Sequence, residues 1–447
     1  MIRGKTFICL IVVLVVLVGA ILAVNLLTPE ETVEDTTITL FSMEPSEAAQ
    51  ISWTYDGETM HFMKLSDTWL YAEDSSFPLD SSYINAMLET LSQVTATRKL
   101  ENVGNLSEYG LDDPVCVINL QTDEEVEFAI GNLSAIGDSR YLSMGDGNVY
   151  LVDGAILNNF SYTLYDVVAK ESLPTMTDVT RIQVVSQENQ LDIQYLENSG
   201  LTYSTEFVWF LNQDGSYRAL DEDLTEELLA GITELSWHSC INHNADASAL
   251  EMYGLADPAV TVSIDYLDEN GEEAVFGLEL GNVSGNYCYA KLTGSGMVYK
   301  IEEALRETLL YSTYYDLRPD DVLLMDWDAV TGMDVILDGV TYEIRQAGEG
   351  DDTVMMLDGT ETEITTISNM LDSMGSAGFA DGAAPEQNMT IGFKFYRDAE
   401  TFQVVELMFY PNDSTNCLAS LNGEAKFYVS REQVSSLVQA ASAIVGA

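Results

Sequence analysis

Basic side chains are scarce in this 447-residue chain: 18 Lys and Arg stand against 73 Asp and Glu, a formal net charge of −55. Binding to nucleic acid draws on lysines and arginines that displace counterions from phosphates, so nucleic acid is excluded as a natural partner. The same charge repels an anionic lipid surface and keeps a protein soluble. Histidine is rarer still, with His61, His238 and His243 alone. None lies near a Gly-x-Ser-x-Gly elbow, so a Ser-His-Asp hydrolase finds no support. The five cysteines are Cys9, Cys116, Cys240, Cys288 and Cys417. They are widely spaced and form no Cys-x-x-Cys pair, which argues against a disulfide-built scaffold while leaving one or two bridges open. Cys116 and Cys417 read as core strand residues. No phosphate-binding loop or dinucleotide fingerprint occurs, and the glycines fall mostly in turns.

What the chain does have is apolar and aromatic residues, 47% and 10% of the total, enough for sizeable cores. It also has one long greasy run. Phe7–Leu27 carries no charge, and at 1.5 Å rise per residue it spans about 30 Å, the thickness of a bilayer's hydrocarbon. Arg3 and Lys5 precede it, and Glu30, Glu31, Glu34 and Asp35 follow. The positive-inside rule then places residues 1–6 in the cytoplasm, 7–27 in the membrane and everything from about residue 28 outside. A cleaved signal peptide would have a shorter apolar core and a small-x-small site, whereas Ile21-Leu22-Ala23 is bulky at its outer position. The expectation is an uncleaved single-pass anchor in the cell membrane.

The remainder repeats. Tyr109-Gly110-Leu111-Asp112-Asp113-Pro114 returns as Tyr253-Gly254-Leu255-Ala256-Asp257-Pro258, Ile130-Gly131-Asn132 as Leu280-Gly281-Asn282, Val149-Tyr150 as Val298-Tyr299, Tyr165-Asp166 as Tyr315-Asp316, and Thr68-Trp69-Leu70 as Val208-Trp209-Phe210. Each recurs roughly 140–150 residues later, the signature of tandem duplication. A third, degenerate unit begins with residues 325–346, which resemble 176–197 and 43–64; it carries Lys426-Phe427-Tyr428-Val429 at the Val-Tyr position but lacks the Tyr-Gly-Leu turn. A divergent terminal unit is common in repeat proteins, because its outer side meets water. The expected division is a linker at 28–42, units at 43–172 and 173–323, and the degenerate unit at 324–447.

Each unit reads as a hairpin, a third strand, a helix, the Tyr-Gly-Leu turn and further strand pairs. Ile51 to Tyr55 alternates, Asp56-Gly57 turns, and Met60 to Met63 returns. Helical stripes follow: Tyr83, Ile84, Met87, Leu88, Leu91 and Val94, capped by Asp80, Ser81 or Ser82; Leu224, Leu228, Leu229, Ile232 and Leu235, capped by Asp221 or Asp223; and Ile364, Ile367, Met370, Leu371 and Met374, closed by Gly375. After the turn, Val115 to Leu120 and Val260 to Tyr266 should pair with Glu125 to Ile130 and Glu273 to Leu280. Short connections without a βαβ rhythm predict α+β units of mostly antiparallel sheet with a packed helix, plus the N-terminal transmembrane helix.

These motifs resemble the bacterial domain-of-unknown-function 4340 family (DUF4340): the single membrane helix, the third-strand tryptophan, "YGLDDP" and "YGLADP" after a helix, "IGN" or "LGN" in a strand, and "VYLV". The likeness covers about residues 40–320 well. It implies an accessory envelope role, often beside ABC-type export or gliding-motility-like systems, and it brings no catalytic residues.

Candidate chemistry is thin. His238, Cys240 and His243 form His-x-Cys-x-x-His, ligand types zinc accepts, but a structural site wants four ligands and no fourth stands out. The repeat aligns His238 with Val94 and Cys240 with Ala96, an edge strand or helix exit. Asp268, Asn270 and Gly271 fit part of a calcium loop, yet its first position would be Tyr266, so a hairpin turn is the better reading. Gly110, Gly254, Pro114 and Pro258 are read as a structural turn with Leu plugging the core and Tyr109 and Tyr253 packed beside it; Trp69 and Trp209 are read as core. No catalytic, cofactor or metal residue is therefore assigned. The function expected is a non-catalytic, membrane-anchored extracytoplasmic scaffold with a protein partner in the cell envelope, transporter subunits among the candidates. The alternatives are a glycan-acting enzyme using two close carboxylates in a deep cleft and an acidic module binding Ca²⁺ or a cationic ligand.

Overall fold

The computed structural model describes residues 37–446, apart from Asn102, Ile136 and residues 349–352. The predicted membrane segment Phe7–Leu27 lies outside the described residues. Among those described, no helix is long and apolar enough to cross a membrane.

The first sheet has nine strands: β1 (Ile38–Ser42), β2 (Gln50–Tyr55), β3 (Glu58–Leu65), β4 (Thr68–Tyr71), β5 (Gln93–Leu100), β6 (Cys116–Gln121), β7 (Glu125–Leu133), β8 (Ser139–Ser143) and β9 (Val149–Asp153). They lie in the order β1-β5-β9-β8-β7-β6-β2-β3-β4. Helix α1 (Ser81–Ser92) connects β4 to β5. The hairpin forms as read: Ile51 faces Phe62 and Trp53 faces Met60, all four buried. Asp56 and Gly57 both take positive φ, 50° and 79°, the two-residue turn whose twist matches that of the strands.

The second sheet contains β10 (Thr177–Ser186), β11 (Gln190–Tyr195), β12 (Trp209–Gln213), β13 (Ser216–Ala219), β14 (Ser239–Asn242), β15 (Val260–Leu267), β16 (Glu273–Ser284), β17 (Tyr287–Leu292) and β18 (Val298–Glu302). Helices α2 (Glu222–Thr233) and α3 (Ala247–Tyr253) flank β14, and α4 (Glu303–Tyr311) and α5 (Tyr314–Leu317) follow β18. The third sheet contains β19 (Val330–Leu337), β20 (Val340–Ala347), β21 (Val354–Leu357), β22 (Thr360–Thr362), β23 (Gly378–Phe379), β24 (Ile391–Arg397), β25 (Val404–Pro411), β26 (Asn416–Leu421) and β27 (Glu424–Ser430), with α6 (Thr365–Asp372) before β23 and α7 (Arg431–Val445) after β27.

The orders β13-β12-β11-β10-β15-β16-β17-β18-β14 and β22-β21-β20-β19-β24-β25-β26-β27-β23 are one plan. The first sheet shares eight of these positions; it lacks the extra hairpin strand at one edge and adds β1 at the other. Every pairing between strands is antiparallel. The third unit, degenerate in sequence, therefore keeps the whole topology. The chain divides into two compact units, Met1–Ala169 with the first sheet and Lys170–Ala447 with the other two.

Several expectations need correction. Ile38–Ser42, read as the end of a linker, is a strand paired with β5. Helix α1 ends at Ser92, so Val94 belongs to β5, where it is still buried. β-Branched Val94, Thr95 and Thr97 suit a strand better than a helix. Leu224 is 40% exposed, because Asp221 caps α2 and puts Leu224 in the first, outward-facing turn. Gly375 does not close α6: Ser373 occupies the cap with right-handed backbone, and Gly375 instead bridges to Asp321.

Candidate functional site

The two recurring glycine motifs meet. Gly110 and Gly254 end their helical turns at φ 67° and 68°. The amides of Leu111 and Leu255 reach back to Leu106 and Leu250 (3.1 and 2.8 Å), the hydrogen bond that closes a helix C-terminus. A Cβ on Gly110 would lie 2.5 Å from Asn132, and one on Gly254 2.5 Å from Asn282. Conversely, a Cβ on Gly131 or Gly281 would lie 2.2 or 2.3 Å from the carbonyl oxygen of Tyr109 or Tyr253. The Tyr-Gly-Leu turn and the Gly-Asn bulge are thus two halves of one lock. Its freed carbonyl is capped by arginine in both copies, Arg140 on Gly131 (3.1 Å) and Arg306 on Gly281 (2.9 Å). Tyr109 packs on Tyr141 and Tyr253 on Tyr289, at 4.8 and 4.7 Å between ring centroids. Leu111 and Leu255 are buried, as are Trp69 and Trp209. The third sheet has no lock, and β25 pairs with β26 without a bulge.

The soft ligands do not converge. His238 is exposed and stacks on Tyr287 (4.1 Å), whereas Cys240 is buried in β14 opposite Tyr299. Burial pushes the Cys240 thiol up to about 11. His243 follows in the turn after β14, and the three form no group with ligand atoms within 4.8 Å of one another among the described residues. Cys116, Cys240, Cys288 and Cys417 are all buried and free. Asp268 sits in the β15–β16 turn and accepts the amides of Asn270 (2.8 Å) and Glu272 (2.9 Å), which hold its carboxyl below the ordinary range. His61 pairs with Glu73 across 2.8 Å on the surface.

A different place collects chemistry. Between the second and third sheets, within one compact unit, lies a groove of about 400 Å³ walled by Tyr203, Phe207, Tyr314, Phe402 and Phe427, with Asp321 at its side. Tyr203 and Phe207 come from the long β11–β12 connection, Tyr314 from α5, Phe402 from the β24–β25 turn and Phe427 from β27. Phe402 is 39% exposed and has φ 48°, a strained backbone for a bulky side chain. Its loop is fixed: Arg397 donates to the Phe402 carbonyl (3.3 Å), and Thr401 donates to the Gly200 carbonyl (2.8 Å). Asp326 holds the facing loop by accepting from the Thr205 amide (3.1 Å), the Thr205 hydroxyl (3.0 Å) and the Ser204 hydroxyl (3.3 Å).

The charges on the groove are unequal in their partners. Lys426 bridges Glu424 at 2.8 Å and holds its carboxyl below the usual pKa, and the Arg218 guanidinium lies 3.3 Å from the Tyr314 ring centroid. Asp321, Asp320 and Asp221 instead crowd together, with carboxylate oxygens within 4.8 Å of one another. Asp321 faces water along the groove, but the walls remove part of its hydration; that loss, then Asp320 and Asp221, raises its pKa. Burial also raises the Tyr203 hydroxyl well above the usual phenol value, with Asp321 adding to it. Tyr203, Phe207, Phe402 and Asp321 did not stand out in the sequence, since they lie on connectors and turns without periodicity, whereas Asp221 and Phe427 were legible only as a helix cap and a strand residue.

The family described as domain of unknown function (DUF4340) matches residues 69–206 and again 209–392. Both matches begin at or beside a third-strand tryptophan, Trp69 in β4 and Trp209 in β12. No curated protein and no solved structure matches the chain.

Proposed function

The chain belongs to the DUF4340 family, and from that premise we propose that it is a non-catalytic, membrane-anchored scaffold that binds a protein partner outside the cytoplasm, as an accessory to an ABC-type transport system. The observation that carries this reading is the aromatic groove at the junction of two repeated sheets, whose walls are stitched together by Asp326 and Thr401 rather than left mobile. Repeated units offer extended surfaces of this kind. Aromatic anchors in pockets are what protein interfaces rely on for affinity. The uncharged Phe7–Leu27 run behind Arg3 and Lys5 supports the tether and its orientation.

The test is affinity recovery of the full chain from membranes in mild detergent, beside Phe402→Ala. A transporter subunit retained by the wild type and lost from the variant supports the reading. Recovery of the protein alone under several mild conditions contradicts it. The tether is checked separately: alkaline carbonate should leave the chain in the membrane pellet, and deletion of residues 1–27 should release it.

A further inference from the structure

The groove combines two features. Its walls are aromatic faces, and its flank holds carboxylates that repel one another. Partial burial and the Asp320 and Asp221 carboxylates within 4.8 Å all disfavour the charge on Asp321. The two cations at the groove are already engaged, Lys426 with Glu424 and Arg218 with Tyr314. A group that carries positive charge on a slender apolar body would answer both features at once. The charge relieves the carboxylate crowding, and the body covers aromatic rings whose faces attract cations. A side chain of lysine type has this form: an ammonium on a flexible four-carbon stem. A bare metal ion would satisfy the acids but leave the rings uncovered.

We propose that this groove receives a lysine side chain of the partner, its ammonium beside Asp321 and its methylenes against Tyr203, Phe402 and Phe427. The assignment rests on the partner-binding reading and adds the chemistry of the contact. The chain's charge of −55 fits it, since a basic partner is steered toward so acidic a surface. Phe402 is held in place by its neighbours despite a strained backbone, so the ring is in position before a ligand arrives.

The test is calorimetric titration of the full chain in detergent micelles with the tripeptide acetyl-Gly-Lys-Gly-amide, which carries a single positive charge. The same peptide with its lysine acetylated, free 1,5-diaminopentane and calcium chloride are the other arms. Asp321→Asn should weaken the lysine peptide about tenfold or more and Phe402→Ala severalfold, while Asp338→Asn, an exposed turn acid far along the third sheet's hairpin, should change it less than about twofold. Melting curves establish that each variant is folded. The acetylated peptide should not bind. Equal binding of both peptides, or equal loss in Asp321→Asn and Asp338→Asn, overturns the proposal by showing diffuse attraction only. Diamine binding about tenfold tighter than the peptide overturns the partner as source, and calcium competing through Asp321 overturns the ligand class. If Asp321→Asn retains the same membrane partner as wild type, the lysine contact falls and the scaffold stands. If the peptide binds as expected but no partner is ever recovered, the scaffold falls and the groove chemistry stands.

Discussion

At Gly131 an added methyl group would meet a backbone carbonyl at 2.2 Å, whereas at Gly110 it would meet the Asn132 side chain, which can move. Gly131→Ala should therefore cost more than Gly110→Ala, although the latter also forces φ 67° on an alanine; differential scanning calorimetry should rank them in that order, with losses of about 1–3 kcal/mol or more. The sequence showed that both motifs recur, and the turn with its buried leucine was legible from Gly, Leu and Pro alone. That the Gly-Asn pair is the other half of the same lock was not, because contact between residues some twenty positions apart leaves no local pattern. Lys291 and Glu279 form a nearly buried cross-strand pair at 2.8 Å. Lys291→Met alone should destabilise by about 3 kcal/mol by stranding the glutamate, while Lys291→Met with Glu279→Leu should recover most of that loss in urea unfolding. Asp321 has its folded pKa raised, so its ionisation opposes folding: stability falls as pH rises from the unfolded carboxylate range through the raised value. Asp321→Asn should accordingly melt higher than wild type near pH 7, and the gap should close below the carboxylate range, where Asp320, Asp221 and Asp321 are all protonated.

Helices α1 and α2 start on aspartates that accept an amide of the first turn, Asp80 from Ser82 (3.0 Å) and Asp221 from Leu224 (2.8 Å). Asp80→Ala should lower stability by about 1 kcal/mol, read as a shift of the urea midpoint at unchanged slope. Asp221→Ala should cost less, since it removes a cap and one of three crowded carboxylates together. Elements such as these were legible because their signals are local: a capping side chain, a stripe at helical spacing, an Asp-Gly turn between alternating runs. Helix α6 shows the limit. Its cap position is Ile364, whose side chain makes no capping bond, and it ends on Ser373 without a left-handed glycine, while Gly375 makes an isolated bridge to Asp321. The groove was illegible for a related reason. Tyr203, Phe402 and Asp321 are brought together by Asp326 and Thr401, contacts between loops that belong to different repeats.

Across the whole molecule, a shared strand order survives where sequence likeness fades, because the alternation of buried and open positions suffices to specify strands and register. The order itself, with the strand leaving the helix paired to the last strand of the meander, could not be read from pattern. It places Cys116, Cys240, Cys288 and Cys417 inside cores, with burial pushing the thiols of Cys116 up to about 12 and of Cys240 and Cys288 up to about 11. Peptide mapping after iodoacetamide at pH 8 should find these four unlabelled until denaturant is added. The place where the family match restarts, between residues 206 and 209, falls inside the second sheet, after β11 and before β12. The matched segments are thus offset from the sheets that fold as blocks. A fragment cut at that seam would carry β12 and β13 without β10 and β11, the hairpin through which they join their sheet, so residue 209 is a boundary of likeness and a poor place to divide the chain for folding.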